Sequence, residues 1–326
     1  MLNDKTILIT GGTGSFGHKC TEVILSRFQP RKLIIFSRDE FKQYEMAQKF
    51  PTAKYPCMRY FIGDVRDKER LYRAFQGVDY VIHGAALKQV PTAEYNPTEV
   101  IKTNIYGAEN IINVAADRGV KNVLALSTDK AANPVNLYGA TKLCSDKLFV
   151  AANAFIANDT TRYSVVRYGN VLGSRGSVIP FFLQQKPTGV LPVTDPRMTR
   201  FWITLEQGVD FVLKCLDRML GGEVFVPKLP SMNIMDLARA ICPECETPIV
   251  GIRPGEKIHE VMVPLADARN TLEFKNHYII LPDHDDITPR FDESPGERVP
   301  EDFEYSSGTN PWLLTVDELR DFLNGQ

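Results

Sequence analysis

The chain has 326 residues, enough for one large domain or a core with a smaller lobe, and its 44% hydrophobic and 24% charged residues are ordinary for a soluble globular protein. A net charge of −2 provides no basic surface for nucleic acid, so an anionic ligand would need local positive groups. No apolar run approaches the ~18 residues that cross a bilayer, and the N-terminus lacks the pattern of an export signal, so we expect a cytoplasmic protein without a membrane partner.

Short apolar strands alternate with longer helical stretches through the first half of the chain. Strands are predicted at 5–10, 32–37, 60–62, 80–83, 122–127 and 163–167, and the longest helices between them at 97–117 and 138–153. Because such strands are buried on both faces, the alternation predicts an α/β fold with a Rossmann-type, doubly wound parallel sheet.

After Gly169 the composition changes, and Pro, Gly and Arg become frequent, as is typical of loops that present ligand contacts. A helix at 205–219 and a strand at 223–226 are predicted to return to the main sheet. We therefore predict a Rossmann domain over 1–170, completed by 205–228, and a smaller, partly helical substrate-binding lobe made of 171–204 and 229–326. Segment 283–304 is acidic and rich in Pro, and is predicted to be an exposed loop.

Six cysteines in a chain of this length argue against a disulfide framework. Cys242 and Cys245 have the spacing of half a zinc site, but no second pair follows, and His259 and His277 lie far away in sequence. Because structural zinc needs four ligands, we predict no metal and interpret the pair as two thiols at the end of a helix.

The first predicted strand stops at a glycine-rich turn that opens a helix. Glycines with this spacing let the backbone approach a pyrophosphate, and the helix N-terminus supplies N–H donors. Such a triplet is weak evidence alone, but its place at the start of a βαβ pattern makes it specific. The sequence therefore predicts a bound dinucleotide that contacts Gly11, Thr13, Gly14, Ser15, Phe16 and Gly17.

The end of the second strand selects between NAD and NADP, because an acidic residue there binds the ribose hydroxyls and an arginine accommodates a 2′-phosphate. Ser37 and Arg38 fall at this point, and Lys42 follows one helical turn later. Asp39 is a counter-signal one residue too late, and the two cations could equally belong to a solvated helix start. We predict NADP.

Residues after the third and fourth strands are predicted to contact the same cofactor. Asp64 and Val65 lie where an adenine would be held, and Ala85 and Ala86 place small side chains beside the cofactor. A helix cap and plain tight packing would explain these residues equally well.

Tyr138 and Lys142 are four residues apart and therefore share one face of a predicted helix. A phenol titrates near ~10, and a nearby cation lowers that pKa, so the pair could take a proton from a sugar hydroxyl. Just before them, Asp129 and Lys130 add an acid and an amine beyond the end of a strand. This combination fits removal of water from a sugar better than simple oxidation, although a turn with a surface salt bridge is the alternative.

The glycine loop, the His83-Gly-Ala-Ala86 segment and the spacing of Tyr138 and Lys142 resemble the extended short-chain dehydrogenase/reductase superfamily. Within it, segments 127–134 and 136–142 resemble the nucleotide-sugar 4,6-dehydratases. Segments 194–201, 230–232 and 251–257 resemble, more narrowly, the family of inverting UDP-N-acetylglucosamine 4,6-dehydratases of pseudaminic acid biosynthesis. The related membrane-bound retaining enzymes carry methionine at the position of Tyr138 and have extra membrane helices, so the chain departs from that class.

The resemblance implies an NADP-dependent hydro-lyase that acts on UDP-N-acetylglucosamine. Tyr138, with Lys142, would deprotonate the hydroxyl on carbon 4 while hydride passes to NADP⁺. Lys130 would remove the proton on carbon 5, Asp129 would protonate the departing hydroxyl on carbon 6, and the hydride would return to carbon 6. Reprotonation of carbon 5 from the opposite face would give a UDP 4-keto-6-deoxy-L-arabino-hexulose.

These roles demand unusual pKa values. The pKa of Lys130 would have to fall from ~10.4 to ~7 through desolvation, Lys142 and the positive nicotinamide ring, and the pKa of Asp129 would have to rise from ~3.9. Left alone, the two would form an ion pair, so which residue moves which proton stays open.

A UDP-sugar also needs groups that bind its diphosphate and ribose. Arg253 suits a diphosphate, and Glu256 could accept hydrogen bonds from ribose hydroxyls. The resemblance also implies contacts from Lys88, which would touch the cofactor as well, and from Asn170, Val178 and Thr194. The polar members of this set could equally lie on the surface.

The resemblance further implies a homo-oligomer, with a hexamer as its expected size, and a product used to decorate flagellin or surface polysaccharide. Two other functions stay open. A nucleotide-sugar 4-epimerase would use Tyr138 and Lys142 but would not need Asp129 and Lys130. A non-catalytic NADP-binding sensor could lose Tyr138 or Lys142 without harm.

Overall fold

The structure is a computed structural model and describes residues 1–156, 160–172, 178–283, 287, 291 and 295–324. The strands of the first half are β1 Thr6–Thr10, β2 Lys32–Ser37, β3 Met58–Ile62, β4 Tyr80–His83, β5 Asn122–Thr128 and β6 Arg162–Tyr168. The helices between them are α1 Ser15–Arg27, α2 Glu40–Lys49, α3 Lys68–Ala74, α4 Val90–Tyr95, α5 Pro97–Ile101, α6 Gly107–Arg118 and α7 Leu137–Phe155. The six strands predicted for this half are confirmed.

The second half is built from shorter elements. Its strands are β7 Asn170–Val171, β8 Thr199–Ile203, β9 Val224–Pro227, β10 Ser231–Asn233, β11 Val261–Val263, β12 Thr271–Glu273, β13 His277–Ile280, β14 Glu297–Arg298 and β15 Tyr305–Ser306. Its helices are α8 Val178–Gln185, α9 Leu205–Arg218, α10 Ile234–Ile241 and α11 Val316–Asn324. The returning helix and strand predicted at 205–226 correspond to α9 and β9.

The main sheet has the order β14-β12-β13-β9-β6-β5-β4-β1-β2-β3, and the strands from β9 to β3 are all parallel. Helix α1 contacts α9, whereas α6 contacts α3 and α7, so the helices form two separate layers. Every residue of β1 is buried, as expected for a central strand covered on both faces. The predicted α/β, Rossmann-type fold is confirmed.

Three strands of the C-terminal third extend this sheet in the antiparallel direction. β13 pairs with β9, β12 with β13, and β14 with β12. The sequence instead predicts that all of 229–326 belongs to the lobe, because strands this short show no clear alternation of polar and apolar residues. Within the predicted loop 283–304, β14 is a paired edge strand, and 284–286, 288–290 and 292–294 lie outside the described residues. The domain boundaries stay a prediction.

The remaining C-terminal elements form a small layer of their own. β10, β8 and β7 make a three-stranded sheet, and β11 pairs with β15. A second hydrophobic cluster packs α8, α10 and α11 around Leu191, Trp202, Leu237 and Leu319. Because β7 begins two residues after β6 ends, this layer starts at the carboxyl edge of the main sheet.

The helix predicted at 97–117 is interrupted by a π-helix, Lys102–Tyr106, between α5 and α6. Asn104 in this wide turn is buried and bonds both the N–H and the carbonyl of Leu87 at 2.9 Å, and it also donates to Thr141 at 3.0 Å. Such turns often occur at functional sites. Here the turn fastens the chain that follows β4 to helix α7.

Cys242 and Cys245 form a disulfide just after α10. The interpretation of this pair as two thiols was therefore wrong. Helix α10 ends at Ile241, and the N–H of Cys245 donates to the carbonyl of Cys242, so the turn brings the two Cα atoms to 5.4 Å. That separation lies in the range of ordinary disulfides. No cluster of three or more metal-ligating side chains occurs among the described residues.

Candidate active site

A cleft of about 570 Å³ runs along the carboxyl ends of β1, β2, β4 and β5. In open parallel sheets this edge is where ligands bind, because the chain changes direction there and leaves a crevice. The predicted cofactor and catalytic residues that line the cleft are Gly11, Thr13, Gly14, Ser15, Phe16, Ser37, Arg38, Lys42, Asp64, Val65, Ala85, Ala86, Lys88, Asp129, Lys130, Tyr138 and Lys142. Gly17 does not line the cleft and lies buried in the first turn of α1.

Geometry requires glycine at two positions of the loop. Gly11 has a φ of 66°, and a Cβ there would lie 2.9 Å from backbone atoms of Ala85. At Gly17, a Cβ would overlap the backbone of Gly12. Helix α1 begins after Gly14, and no side chain of the described residues caps its first turn. The loop therefore combines close backbone approach with uncapped N–H donors, as a pyrophosphate requires.

The end of β2 carries the residues predicted to select the cofactor. Arg38 lies 3.5 Å from the carboxylate of Asp64, and Lys42 lies 3.1 Å from that of Asp39. Asp39 also caps α2, and the hydrogen bond from the Lys42 N–H lowers the pKa of its carboxyl group. Each cation thus already has one carboxylate partner, and a phosphate would have to replace or share it.

The acid–amine pair lies on a turn that directly follows β5. Residues Asp129–Ala131 form one 3-10 turn, capped by the hydroxyl of Thr128, which accepts from the Lys130 N–H at 3.4 Å. Asp129 is fully buried, and its Oδ1 lies 3.1 Å from the Nζ of Lys130. Because the turn breaks the alternation of the strand, both side chains line the same cleft.

Helix α7 brings the tyrosine and lysine to this turn. Asn136 caps the helix by accepting from the Gly139 N–H, and its side-chain amide donates to the carbonyl of Gly255, each at 2.8 Å. A Cβ on Gly139 would overlap the carbonyl oxygen of Lys130, so glycine permits the close approach. Tyr138 and Lys142 are buried and line the cleft beside the acid–amine pair.

Three charged residues that the sequence analysis missed surround Lys130. Glu260 is 2% exposed, and its Oε1 lies 3.3 Å from the Nζ of Lys130 and 3.8 Å from the Nε of Arg200. Its Oε2 lies 3.9 Å from the Nζ of Lys257, which donates to the carbonyl of Ala132 at 2.5 Å. Two of the three had a sequence signal, because Arg200 lies in segment 194–201 and Lys257 in segment 251–257, which carry the resemblance.

The electrostatics at Lys130 oppose the earlier expectation. Burial disfavours its charged form, but the carboxylates of Asp129 and Glu260 outweigh burial and raise the pKa of Lys130. The lowered pKa of Lys130 expected from the sequence is therefore contradicted, because Asp129 and Glu260 act together on the same amine.

The tyrosine–lysine pair also differs from expectation. Burial raises the pKa of Tyr138 to about 12, although the charge of Lys130 and a hydrogen bond with Thr128 act in the opposite direction. The cation that lowers the pKa of Tyr138 is thus Lys130, and burial is the larger effect. Burial also lowers the pKa of Lys142, against the opposing carboxylate of Asp146.

Two of the predicted substrate contacts line the cleft. These are Lys88 and Asn170, and the Oδ1 of Asn170 is buried with no hydrogen-bond partner in the part of the chain that the structure describes. Val178 borders a separate small cavity that Asn170 also lines.

The other three predicted substrate residues lie away from the cleft wall formed by the described residues. Thr194 donates to the sulfur of Met198 at 3.0 Å. Arg253 is exposed and lies 4.0 Å from Glu256, whose Oε2 is buried and, within the described ranges, unpartnered. The resemblance suggested this set, and the geometry does not bring it together.

The parallel sheet, the glycine loop and the cleft define the short-chain dehydrogenase/reductase fold. Residues 7–282 match a family model described as "Polysaccharide biosynthesis protein", and the chain belongs to this family. No helix in the described ranges has the length and apolar character to cross a bilayer.

Known relatives agree with this assignment. The chain is 57% identical over 333 residues to a UDP-N-acetylglucosamine 4,6-dehydratase (inverting) of Campylobacter jejuni, and the match covers 99% of this chain and 98% of the relative. It is 40% identical over 335 residues to a UDP-glucose 4-epimerase of Rickettsia massiliae, with coverage of 99% and 96%. The solved structure of Pen from Bacillus thuringiensis has a TM-score of 0.90 and 33% identity, and the match covers 100% of this chain and 98% of that one. The resemblance stated from the sequence is confirmed.

Proposed function

We propose that the chain is an NADP-dependent, configuration-inverting UDP-N-acetylglucosamine 4,6-dehydratase, a hydro-lyase. The observation that carries this proposal is that Asp129 and Lys130 line the same cleft as Tyr138 and Lys142. A 4-epimerase needs the second pair alone, whereas loss of water across carbons 5 and 6 also needs a proton acceptor and a proton donor there. The 57% identity to the Campylobacter jejuni dehydratase over nearly the full length supports the same proposal.

The cleft fits a dinucleotide because Gly11 and Gly17 let backbone segments approach more closely than a Cβ would allow, and this packing shapes the loop at the start of α1. NADP, when bound, supplies an acceptor for the hydride of carbon 4 and later returns it to carbon 6. The support for NADP over NAD is the pair of cations at the end of β2, Arg38 and Lys42. Their present ion pairs, with Asp64 and Asp39, are at least partly exposed, and such pairs are weak and easily exchanged for a phosphate.

Tyr138 takes the proton of the hydroxyl on carbon 4. Burial alone disfavours its phenolate, so the neighbouring groups must stabilise it. The positive charge of Lys130 and the hydroxyl of Thr128 act in this direction. Lys142, one turn further along α7, adds a second cation when it is protonated.

For the elimination step we assign Asp129 and Lys130 the roles opposite to those that the resemblance implied. Two carboxylates, at 3.1 and 3.3 Å, favour the charged ammonium form of Lys130, which is a proton donor. Lys130 therefore protonates the hydroxyl that leaves carbon 6 as water. The carboxylate of Asp129, whose Oδ2 has no hydrogen-bond partner among the described residues, removes the proton from carbon 5.

The protons balance over the whole reaction. Tyr138 and Asp129 each take one proton, and Lys130 gives one to the leaving hydroxyl. Solvent water gives one to carbon 5 on the opposite face, and the two protons held by Tyr138 and Asp129 then restore Lys130 and replace the one taken from solvent. The expected product is the UDP 4-keto-6-deoxy-L-arabino-hexulose. Lys88 and Asn170 in the cleft, and Val178, Thr194, Arg253 and Glu256 on the lobe, are the proposed substrate contacts.

The proposal extends to the setting of the enzyme. We propose a cytoplasmic homo-oligomer, of hexameric size, whose product enters pseudaminic acid biosynthesis and the glycosylation of flagellin or surface polysaccharide. Sedimentation of the purified protein tests the assembly.

The decisive experiment is incubation with NADP and UDP-N-acetylglucosamine in deuterated water, followed by NMR of the product. A 4-keto-6-deoxy sugar with deuterium and inverted configuration at carbon 5 is expected. A galacto isomer would identify an epimerase, and unchanged substrate would identify a sensor; either result would overturn the proposal.

A further inference from the structure

We propose that Glu260 is a positioning residue for Lys130, which it holds beside Asp129 at the reacting end of the cleft. This inference rests on the function proposed above and adds a residue that the catalytic motifs do not contain. Glu260 lies just before β11, far along the chain from the turn that carries Lys130.

The geometry places the amine of Lys130 between two carboxylates. The carboxylate of Asp129, from the same turn, lies 3.1 Å from the Nζ of Lys130, and that of Glu260, from a distant segment of the chain, lies 3.3 Å from it. A flexible lysine side chain has many rotamers, and two fixed anions restrict its Nζ to one place. Proton transfer depends steeply on such placement.

Glu260 is itself held by other cations. Arg200 on β8 lies 3.8 Å from its Oε1, and Lys257 lies 3.9 Å from its Oε2. The charged or titratable groups that face Lys130 are therefore Asp129, Tyr138, Arg200, Lys257 and Glu260. Without the Glu260 carboxylate, three cations would face one anion, and repulsion would push the Lys130 amine from its place.

The backbone at Glu260 is anchored independently of the side chain. Its N–H donates to the hydroxyl of Ser307 at 2.9 Å, and its carbonyl accepts from the Ser307 N–H at 2.8 Å. A Glu260→Gln variant keeps both bonds and the shape of the side chain while it loses the charge. The variant should therefore fold.

The test separates the two halves of the reaction in the full-length protein with NADP and UDP-N-acetylglucosamine. In Glu260→Gln we expect the rate of oxidation at carbon 4, monitored by nicotinamide absorbance in a single turnover, to stay within about twofold of the wild-type rate. The rate of formation of the 6-deoxy product should fall about tenfold or more. Removing the carboxylate lowers the pKa of the Lys130 ammonium, so the loss of elimination at high pH should begin at lower pH than in the wild type. Glu260→Asp should restore part of the rate.

Glu223→Gln is the matched control, because Glu223 is also a buried carboxylate but accepts from Ser164 at 2.7 Å in the core. This variant should leave the ratio of the two steps and the pH profile unchanged. The inference is overturned if Glu260→Gln slows both steps equally, or if its elimination rate and pH profile match the wild type. Failure of the proposed function appears separately, as absence of the keto product from the wild-type protein, and the role of Glu260 would fall with it.

Discussion

The cleft has two ends that are built differently. At the glycine-loop end, formed by residues 11–17 and 37–42, the backbone shapes the site, and the charged side chains are exposed and paired with nearby residues of the chain. At the acid–base end, formed by residues 129–142 with Arg200, Lys257 and Glu260, buried charges from distant segments meet around one amine.

The difference implies that binding and chemistry can be damaged separately. Exposed ion pairs are screened by water and contribute little, so the glycine-loop end depends on steric fit. Buried charges are costly when unpaired, so the acid–base end depends on every partner being present. Substitutions at one end should therefore leave the other end working.

The largest effect is expected at the acid–base end. Lys130→Ala removes the proton donor of the elimination step, so formation of the 6-deoxy product should fall by about 1,000-fold. The affinity for NADP, measured by calorimetry, should change less than about threefold. Lys228→Ala, which breaks an ion pair with Glu273 outside the cleft, is the control. Unchanged turnover in Lys130→Ala would remove the proposed mechanism.

The next effect belongs to the glycine-loop end. Gly11→Ala places a Cβ against the backbone of Ala85, so the Kd for NADP should rise by roughly 100-fold, or about 2–3 kcal/mol. Gly119 has the same φ of 66° but nothing within 4 Å of its Cβ position, so Gly119→Ala carries the conformational strain without the clash. Similar affinities in the two variants would show that steric fit does not shape this end.

A smaller effect tests the choice of cofactor. Arg38→Ala should weaken NADP by about tenfold and leave NAD unchanged, because one charge-assisted bond to the 2′-phosphate is lost. Arg66 pairs with the same carboxylate of Asp64 at 2.7 Å but does not line the cleft, so Arg66→Ala is the matched control. Equal loss of both cofactors in Arg38→Ala would argue for NAD.

The smallest effect concerns His83, which lies beneath the cleft between its two ends and bonds Thr10 at 2.7 Å. Burial, with the charge of Lys142, lowers the pKa of His83 to about 3. Between these pH values His83 is protonated in the unfolded chain and neutral in the folded chain. The free energy of unfolding should therefore fall as pH drops from about 6.5 toward 3, by at most ~1.4 kcal/mol per pH unit. In His83→Asn, urea unfolding at several pH values should show a shallower slope, and an identical slope would contradict the prediction.

The sequence was informative where structure depends on neighbours in the chain. The strands, the glycine loop and the shared face of Tyr138 and Lys142 follow from local spacing, and each appears as expected. Glu260 could not be found in this way, because its partner Lys130 is distant in sequence and its neighbours carry no periodic signal. The same limit applies to β12 and β14, which are too short to show alternation.

The predicted direction of the pKa shift of Lys130 was wrong for a related reason. The sequence shows the cations near this amine but not the second carboxylate, and the carboxylates of Asp129 and Glu260 together outweigh burial and raise the pKa of Lys130. The disulfide between Cys242 and Cys245 was missed because cysteine spacing alone does not give the geometry of the turn that joins them.

The segment around Gly255 and Lys257 is tied to the catalytic turn at two places, through Asn136 and through the carbonyl of Ala132. If this segment swings outward to let a sugar enter or leave, it must pull on the residues that exchange protons. The same movement would then open the cleft and displace the catalytic residues. The unsaturated ketone that forms after loss of water would therefore not be exposed to bulk solvent while the proton donor is still in its reactive position.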